Sequence, residues 1–353
     1  MKITQLYTYP IKSFRGVPLS TSNLTHLGFP YDRRFMLVRI HTDGSSKPRS
    51  KSHSNASTGL ENMTITYFHE LCLFQQHIDH HSANLTVQYC PPESEHKSLE
   101  MPLMPCTEDL EVIDIRLHQS PTKGFAMGEE TNTWFSACLG YEVKLVYLGP
   151  NTRQVLGNLA PDLKASKPQS WLSSVTSFVP GVTPQEQDQH ASIGFSDIAP
   201  YLVVTEESLK DVSTRLADGI DMDVTKFRPN IVVSGASAAY DEDFWAALTM
   251  NSSTRIEEYA PQAQLLLTGN CGRCSSINVD YDTGATCQGD DGKVLKKMMN
   301  DRRVDPGMKY SPIFGRYGFL DRTTGGKKHQ VAIGDEVIVS KRNTERTVFG
   351  ECI

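Results

Sequence analysis

The chain of 353 residues is predicted to adopt an α+β, β-rich fold. Two observations carry this. Short runs rich in Val, Ile, Leu and Tyr, broken by Gly, Pro and Asp, recur along the whole chain, and only three segments carry helix signals. The length asks in addition for more than one core, since a domain holds roughly 100 to 200 residues.

The strands are expected at 3–9, 34–40, 110–117, 143–148, 201–205 and 230–234, then at 265–268, 275–279, 313–319 and 336–339, the last preceded by a Gly334-Asp335 turn. The first helix, 129–139, stops at Gly140, a residue suited to the left-handed position after a helix. The second, 206–216, has Thr205 in place to cap its first turn, and the third spans 292–302. Residues 41–60 carry Ser, Lys and His without periodicity and read as a surface loop. Residues 151–192, richer in Pro, Gln and Ser, separate two strand sets and mark the boundary. The division is therefore 1–150, a linker or insertion at 151–192, a second domain at 193–342 and a tail at 343–353.

Composition narrows the function. With 39% hydrophobic and 22% charged residues this is a soluble globular composition. A net charge of -6 and the lack of a long Lys/Arg run exclude nucleic acid as an expected partner. No stretch approaches the roughly 18 apolar residues of a transmembrane segment, and MKITQLYTYPIKS has no secretory apolar region. Eight irregularly spaced Cys then read as reduced thiols, and a cytoplasmic location is expected. The sequons at Asn23, Asn55, Asn62, Asn84 and Asn251 are expected to be unmodified surface sites.

The densest chemical signal is LLLTGNCGRCSSINVDYD at 265–282, a strand running into a Gly269-Asn270 turn and the pair Cys271 and Cys274. Zinc would need two further ligands, and Cys287 is the one nearby Cys. A thioredoxin-like pair would open a helix, whereas 275–279 reads as a strand. Two thiols without a function at a strand turn remain the plain alternative. Against it stand Arg273, which would favour the Cys274 thiolate, and further basic or polar residues at strand ends: Lys12 and Ser13 after Pro10, Arg34, and Arg228 before Pro229. Their common setting suggests an anion site.

These segments resemble the MOSC-domain proteins, and among them the amidoxime-reducing component of the molybdenum enzymes. The resemblance runs through LYTYPIKSFRGVPLS (6–20), YDRRFMLV (31–38), GFSDIAPYLVVTEESL (194–209), KFRPNIVVSG (226–235), NCGRCSSINVDYDTG (270–284) and YSPIFGRYG (310–318). It implies an N-terminal β-barrel-like domain at 1–150 and a MOSC β-barrel domain at 193–342. It implies a molybdenum cofactor, the metal bound to molybdopterin, with Cys274 as metal ligand and Cys271 as the member that does not ligate. Lys12, Ser13, Arg34, Arg228, Asn230, Gly272, Arg273 and Tyr317 would surround the pterin and its phosphate. Ile198 and Ala199 would join them through backbone groups, and Asp197 would stand near the metal and move a proton.

The implied activity is reduction of N-hydroxylated small molecules. The plant-type iron-sulfur spacing of some relatives is missing, so electrons should come from a separate chain, cytochrome b5 and its NADH-dependent flavin reductase. The targeting and anchoring stretch of animal relatives is not seen, which leaves association with the mitochondrial surface without an anchor, and 151–192 and 236–262 read as extra sequence. Two other classes compete: a sulfur or cofactor carrier, as in the domain that ends the cofactor sulfurase, and a thiol protein that keeps only the fold.

Overall fold

The strand that opens the chain, Lys2–Thr8, pairs with Ile231–Ser234 on one side and touches Glu336–Arg342 on the other. In this computed structural model those pairings close a barrel whose order is Ile231–Ser234, Tyr201–Thr205, Ile313–Leu320, Ala263–Gly272, Trp245–Asn251, Glu336–Arg342 and Lys2–Thr8. The structure describes residues 1–41, 48–50, 54–55, 59–155, 157–161, 191–217, 219–251, 262–322 and 329–350. Ile3, Val203, Leu248 and Leu265 fill the barrel, as the alternation of a one-side-buried strand requires. Tyr201–Thr205 and Ile231–Ser234 are parallel, and helix Glu206–Thr214 lies in their connection.

The N-terminal half adds a six-stranded sheet in the order Val112–Leu117, Ser120–Ala126, Val143–Tyr147, Phe35–Ile40, Leu60–Asn62 and Ser54–Asn55. An antiparallel sheet of Phe74–Asp79, Asn84–Tyr89 and Lys97–Pro102 stands beside it. Their core is aromatic, with Phe14 stacked on Phe74 at 4.5 Å and Phe135 of helix Glu129–Leu139 against both. The strand-rich α+β expectation is met.

The helix signals hold where caps were present. Helix Glu129–Leu139 ends on Gly140 at φ 77°, and the Thr205 side chain accepts from the Ser208 amide. That second helix stops at Thr214, two residues early. The third is a 3-10 turn, Asp291–Lys293, followed by the single short helix Val294–Met298, with no side-chain cap to extend it.

Four expectations are corrected. No turn occurs at Gly269-Asn270. The strand runs on as Ala263–Gly272, with register shifts at Leu267/Gly269 and Asn270/Gly272. Gly269 allows this because Leu159 packs where a Cβ would stand, 2.0 Å from its Cδ2. Residues 275–279 do not form a strand. Ser275–Asn278 is a 3-10 turn in which neighbouring Ser276 and Ile277 are both buried, a pattern that strand alternation cannot give. The 236–262 stretch is not wholly extra sequence, since Trp245–Asn251 is a barrel stave. Asn62 is buried and its amide donates to the Arg116 carbonyl, so that sequon is not a surface site. Most of 41–60 and 151–192, together with 252–261, lies outside the described residues. Among the described residues no helix is long and apolar enough to cross a membrane.

Candidate functional site

A cleft of about 320 Å3 opens where segment 64–67 and the 118 turn of the N-terminal half meet the barrel end that carries the cysteines. Four cationic side chains, Lys12, Arg33, Arg228 and Arg273, face one carboxylate, Asp197. Cys274 lies just past the stave Ala263–Gly272, as the residue that starts the 3-10 turn, and its thiol is exposed. Its sulfur is 3.2 Å from Thr66 Oγ1 and 3.1 Å from Ser276 Oγ. Cys271 is buried: its thiol donates to the Tyr317 hydroxyl at 3.2 Å, and Arg273 Nη1 donates to its sulfur at 2.8 Å. The guanidinium therefore sits on Cys271, although the sequence pointed to Cys274. Burial, with Cys271 and Asp197 close by, pushes the Tyr317 phenol well above its ordinary value.

The sequence-predicted residues largely converge. Lys12, Ser13, Asp197, Ile198, Ala199, Arg228, Asn230, Gly272, Arg273, Cys274 and Tyr317 all line this cleft. Arg34 does not. Its guanidinium donates to the Gly149 carbonyl, while the preceding Arg33 reaches the cleft. The two diverge because Arg33 ends a turn in the left-handed conformation, at φ 49°, whereas Arg34 leads into the strand Phe35–Ile40. Arg33 is tied to buried Asp32 at 2.6 Å, and both Arg33 and Arg228 lie over the Tyr9 ring, at 4.4 and 4.5 Å. Two of the converging side chains are committed to the scaffold. The Asn230 amide donates to the Tyr7 carbonyl and accepts from the Leu202 amide and Arg33, and Ser13 Oγ accepts from the Ile65 amide.

Asp197 Oδ1 receives the buried Lys12 ammonium and lies 3.1 Å from His118 Nε2. Burial works against its charge, but Lys12 and His118 outweigh burial and hold this carboxyl well below the usual carboxylate range. Burial also draws the Lys12 ammonium down, against the pull of Asp197.

Sequence reasoning missed Arg33, Thr66, His118 and Arg153. His118 and Gln119, at φ 50° and 69°, form the two-residue turn between Val112–Leu117 and Ser120–Ala126. Alternation on both sides of that pair was the available signal. Arg153, 2% exposed, donates to the carbonyls of Leu117, Gly194, Ser196 and Asp197. It gave no signal at all, lying in what reads as linker.

Four buried polar atoms on cleft residues have no hydrogen-bond partner: Arg228 Nη2, Arg273 Nε, Ser196 Oγ and Thr64 Oγ1. Buried donors are rarely left so, and two guanidinium N–H groups among them fit an anionic ligand. The exposed sulfur beside them suits a soft metal.

Residues 1–142 match the MOSC N-terminal beta barrel domain and 190–338 the MOSC domain. The chain belongs to the MOSC-domain proteins. It is 28% identical over 327 residues to the human mitochondrial amidoxime-reducing component 1, an alignment covering 90% of this chain and 78% of that protein. The macaque mitochondrial amidoxime reducing component 2 is 28% identical over 334 residues, 91% of this chain and 79% of that one. The molybdenum cofactor sulfurase of Solanum lycopersicum is 24% identical over 291 residues, 80% of this chain but 29% of the sulfurase. Relatives of this MOSC chain are thus named for both amidoxime reduction and molybdenum cofactor sulfuration, and the amidoxime-reducing ones suggest an oxidoreductase.

Proposed function

We propose that this protein holds a molybdenum cofactor through Cys274 and reduces small N-hydroxylated molecules with electrons from a separate protein. The observation that carries the reading is an exposed thiol at the edge of a cationic cleft whose two arginines, Arg228 and Arg273, keep N–H groups without partners. When bound, the cofactor would supply a centre able to store two electrons and a dithiolene that leaves one place for a protein sulfur.

The chain's own residues do the rest. Arg228 Nη2 and Arg273 Nε donate to the cofactor's anionic end, with Lys12 adding charge. Gly272 lines the cleft and lets the stave pack against segment 308–311, where a Cβ would stand 2.8 Å from Met308 Sδ. Ile198, Ala199 and Leu202 give the cleft an apolar side that excludes water, and the hydrogen-bonded pair of Asp197 and His118 stands at its lining as the route for protons. Asn230, Ser13 and Tyr317 fix the wall on which these groups stand.

In this proposal the electrons come from cytochrome b5 and its NADH-dependent flavin reductase, the donor that the resemblance of the sequence motifs implies. Location is the cytoplasm or the mitochondrial surface, the second because those relatives are named mitochondrial. The test is protein purified from a host that makes the cofactor, with molybdenum per chain measured and benzamidoxime offered alongside reduced cytochrome b5. One metal per chain with turnover supports the reading. Metal without turnover under any one-electron donor favours a cofactor or sulfur carrier, for which the sulfurase match is the supporting observation.

A further inference from the structure

Removing oxygen from an N-hydroxylated substrate needs protons as well as electrons. The nitrogen–oxygen bond breaks and the nitrogen is reduced by two electrons from the one-electron carrier protein; one proton joins the hydroxyl, which leaves as water, and a second goes to nitrogen in place of the broken bond. A carboxylate held by a buried ammonium keeps its charge and is a poor proton source at neutral pH. Asp197, with Oδ1 shared between Lys12 Nζ and His118 Nε2, is such a carboxylate. The proton must come from a neighbour.

We infer that His118 is the proton carrier of the cleft, with Asp197 holding its imidazolium and Arg153 positioning both. This rests on the reductase reading above. His118 lines the cleft, and its side chain is 38% exposed, so one ring faces both solvent and the reacting region. The imidazole gives up a proton from one ring nitrogen to the departing oxygen and takes another from water.

The fold has made this contact deliberate. The ring is carried on a left-handed residue, a conformation uncommon outside Gly, Asn, Asp and His, at the turn of a hairpin. The Arg153 guanidinium binds the Leu117 carbonyl, next to His118, at 2.9 Å and the Asp197 carbonyl at 3.3 Å, so a single buried group sets the spacing of the pair. The charged groups of the pair include Asp197 in contact with the ring, Lys12 on the same carboxylate oxygen, and Arg153 and Arg33, whose charges act on Asp197. Burial lowers the Arg153 guanidinium to about 10, which leaves it charged at neutral pH.

The experiment uses His118→Asn, which tolerates the left-handed turn, and His118→Gly, which tolerates it and leaves room for a free imidazole. In metal-loaded protein both variants should keep their molybdenum and lose turnover on the order of a hundredfold. Added imidazole should restore the glycine variant and not the asparagine one. In metal-free protein, carbon-13 NMR of the Asp197 carboxyl should show its titration moved upward in both variants, because the His118 contact is part of what holds it down. An asparagine variant with the wild-type pH profile, or an Asp197 titration that does not move, overturns the inference. If wild-type loaded protein reduces no N-hydroxylated compound with any donor, the reductase reading fails and takes the proton-carrier role with it. Failure of His118 alone appears as wild-type turnover that the variants share.

Discussion

Thr66 Oγ1 stands 3.2 Å from Cys274 Sγ, so the exposed thiol at the end of a barrel stave is met by a hydroxyl from the other half of the chain. Neither half completes the site alone. The two cysteines, three residues apart, accordingly live in different surroundings, one open to the cleft and one sealed against Arg273 and Tyr317.

That difference predicts opposite outcomes for two conservative substitutions. Cys274→Ser replaces the soft donor by a hard one and should abolish retention of molybdenum. Cys271→Ser keeps a hydroxyl for Arg273 and Tyr317 and should retain most of the metal. Molybdenum per chain after gel filtration checks this, and equal retention in both variants would refute the assignment of Cys274.

Two arginines expected at the cofactor, Arg228 and Arg34, part company in the same way. Arg228→Ala removes a donor facing the cleft, and loss of one charge-assisted bond to a phosphate costs about 1.5 to 3 kcal/mol, roughly tenfold to a hundredfold in affinity. Arg34→Ala breaks only the bond to the Gly149 carbonyl and should leave cofactor affinity within about twofold. Dialysis against limiting cofactor, followed by pterin fluorescence, distinguishes them. Full retention in Arg228→Ala would remove that residue from the site.

Arg153→Met should destabilise the fold by about 3 kcal/mol, because four backbone carbonyls lose a charged donor in a place that water does not reach. Urea unfolding followed by tryptophan fluorescence measures it. A change under about 0.5 kcal/mol, the size expected of an ordinary surface substitution, would show that the clamp is dispensable.

Glu242 supplies a pH test remote from the cleft. It is fully buried, accepts from the Thr205 and Ser208 hydroxyls through Oε2, and leaves Oε1 without a partner. Burial, with Asp243 adding to it, raises its carboxyl from 4.5 to about 7. A raised carboxyl favours the fold while protonated, so its contribution is full below 4.5 and is lost as pH rises through about 7. Each tenfold change in a proton affinity is worth about 1.4 kcal/mol, which makes the loss roughly 3 kcal/mol. Glu242→Gln does not titrate, so it should gain on the wild type by that order between pH 4 and pH 8. Parallel stability curves would contradict the assignment.

Much of this was legible in the sequence because local signals and global fold agree. Thr205 and Gly140 marked helix ends through caps that operate within a few residues, and the runs at 201–205 and 313–319 are staves whose Val, Ile, Phe and Tyr suit a buried strand. The cleft residues were readable because several motifs end where strands meet turns. What escaped was set by long-range contact. Whether Arg33 or Arg34 faces the cleft depends on the left-handed turn that ends at Arg33, and Arg153 matters only because distant carbonyls converge on it. Trp245–Asn251 is flanked by polar sequence that hides it, and Ser275–Asn278 turns because Ile277 and Ser276 are both buried.

The place of Lys2–Thr8 between Ile231–Ser234 and Glu336–Arg342 has a consequence for biosynthesis. The first stave to leave the ribosome pairs early with Val17–Leu19, but its barrel partners are made more than 200 residues later, so the barrel cannot shut until they emerge. Until then the newborn chain presents an open strand edge, a hazard for mispairing that a chaperone would shield. Cys274, emerging before the neighbouring stave Ile313–Leu320 is made, finds its finished cleft only once Glu336–Arg342 has met Lys2–Thr8, so whatever the thiol captures is captured after the barrel has shut.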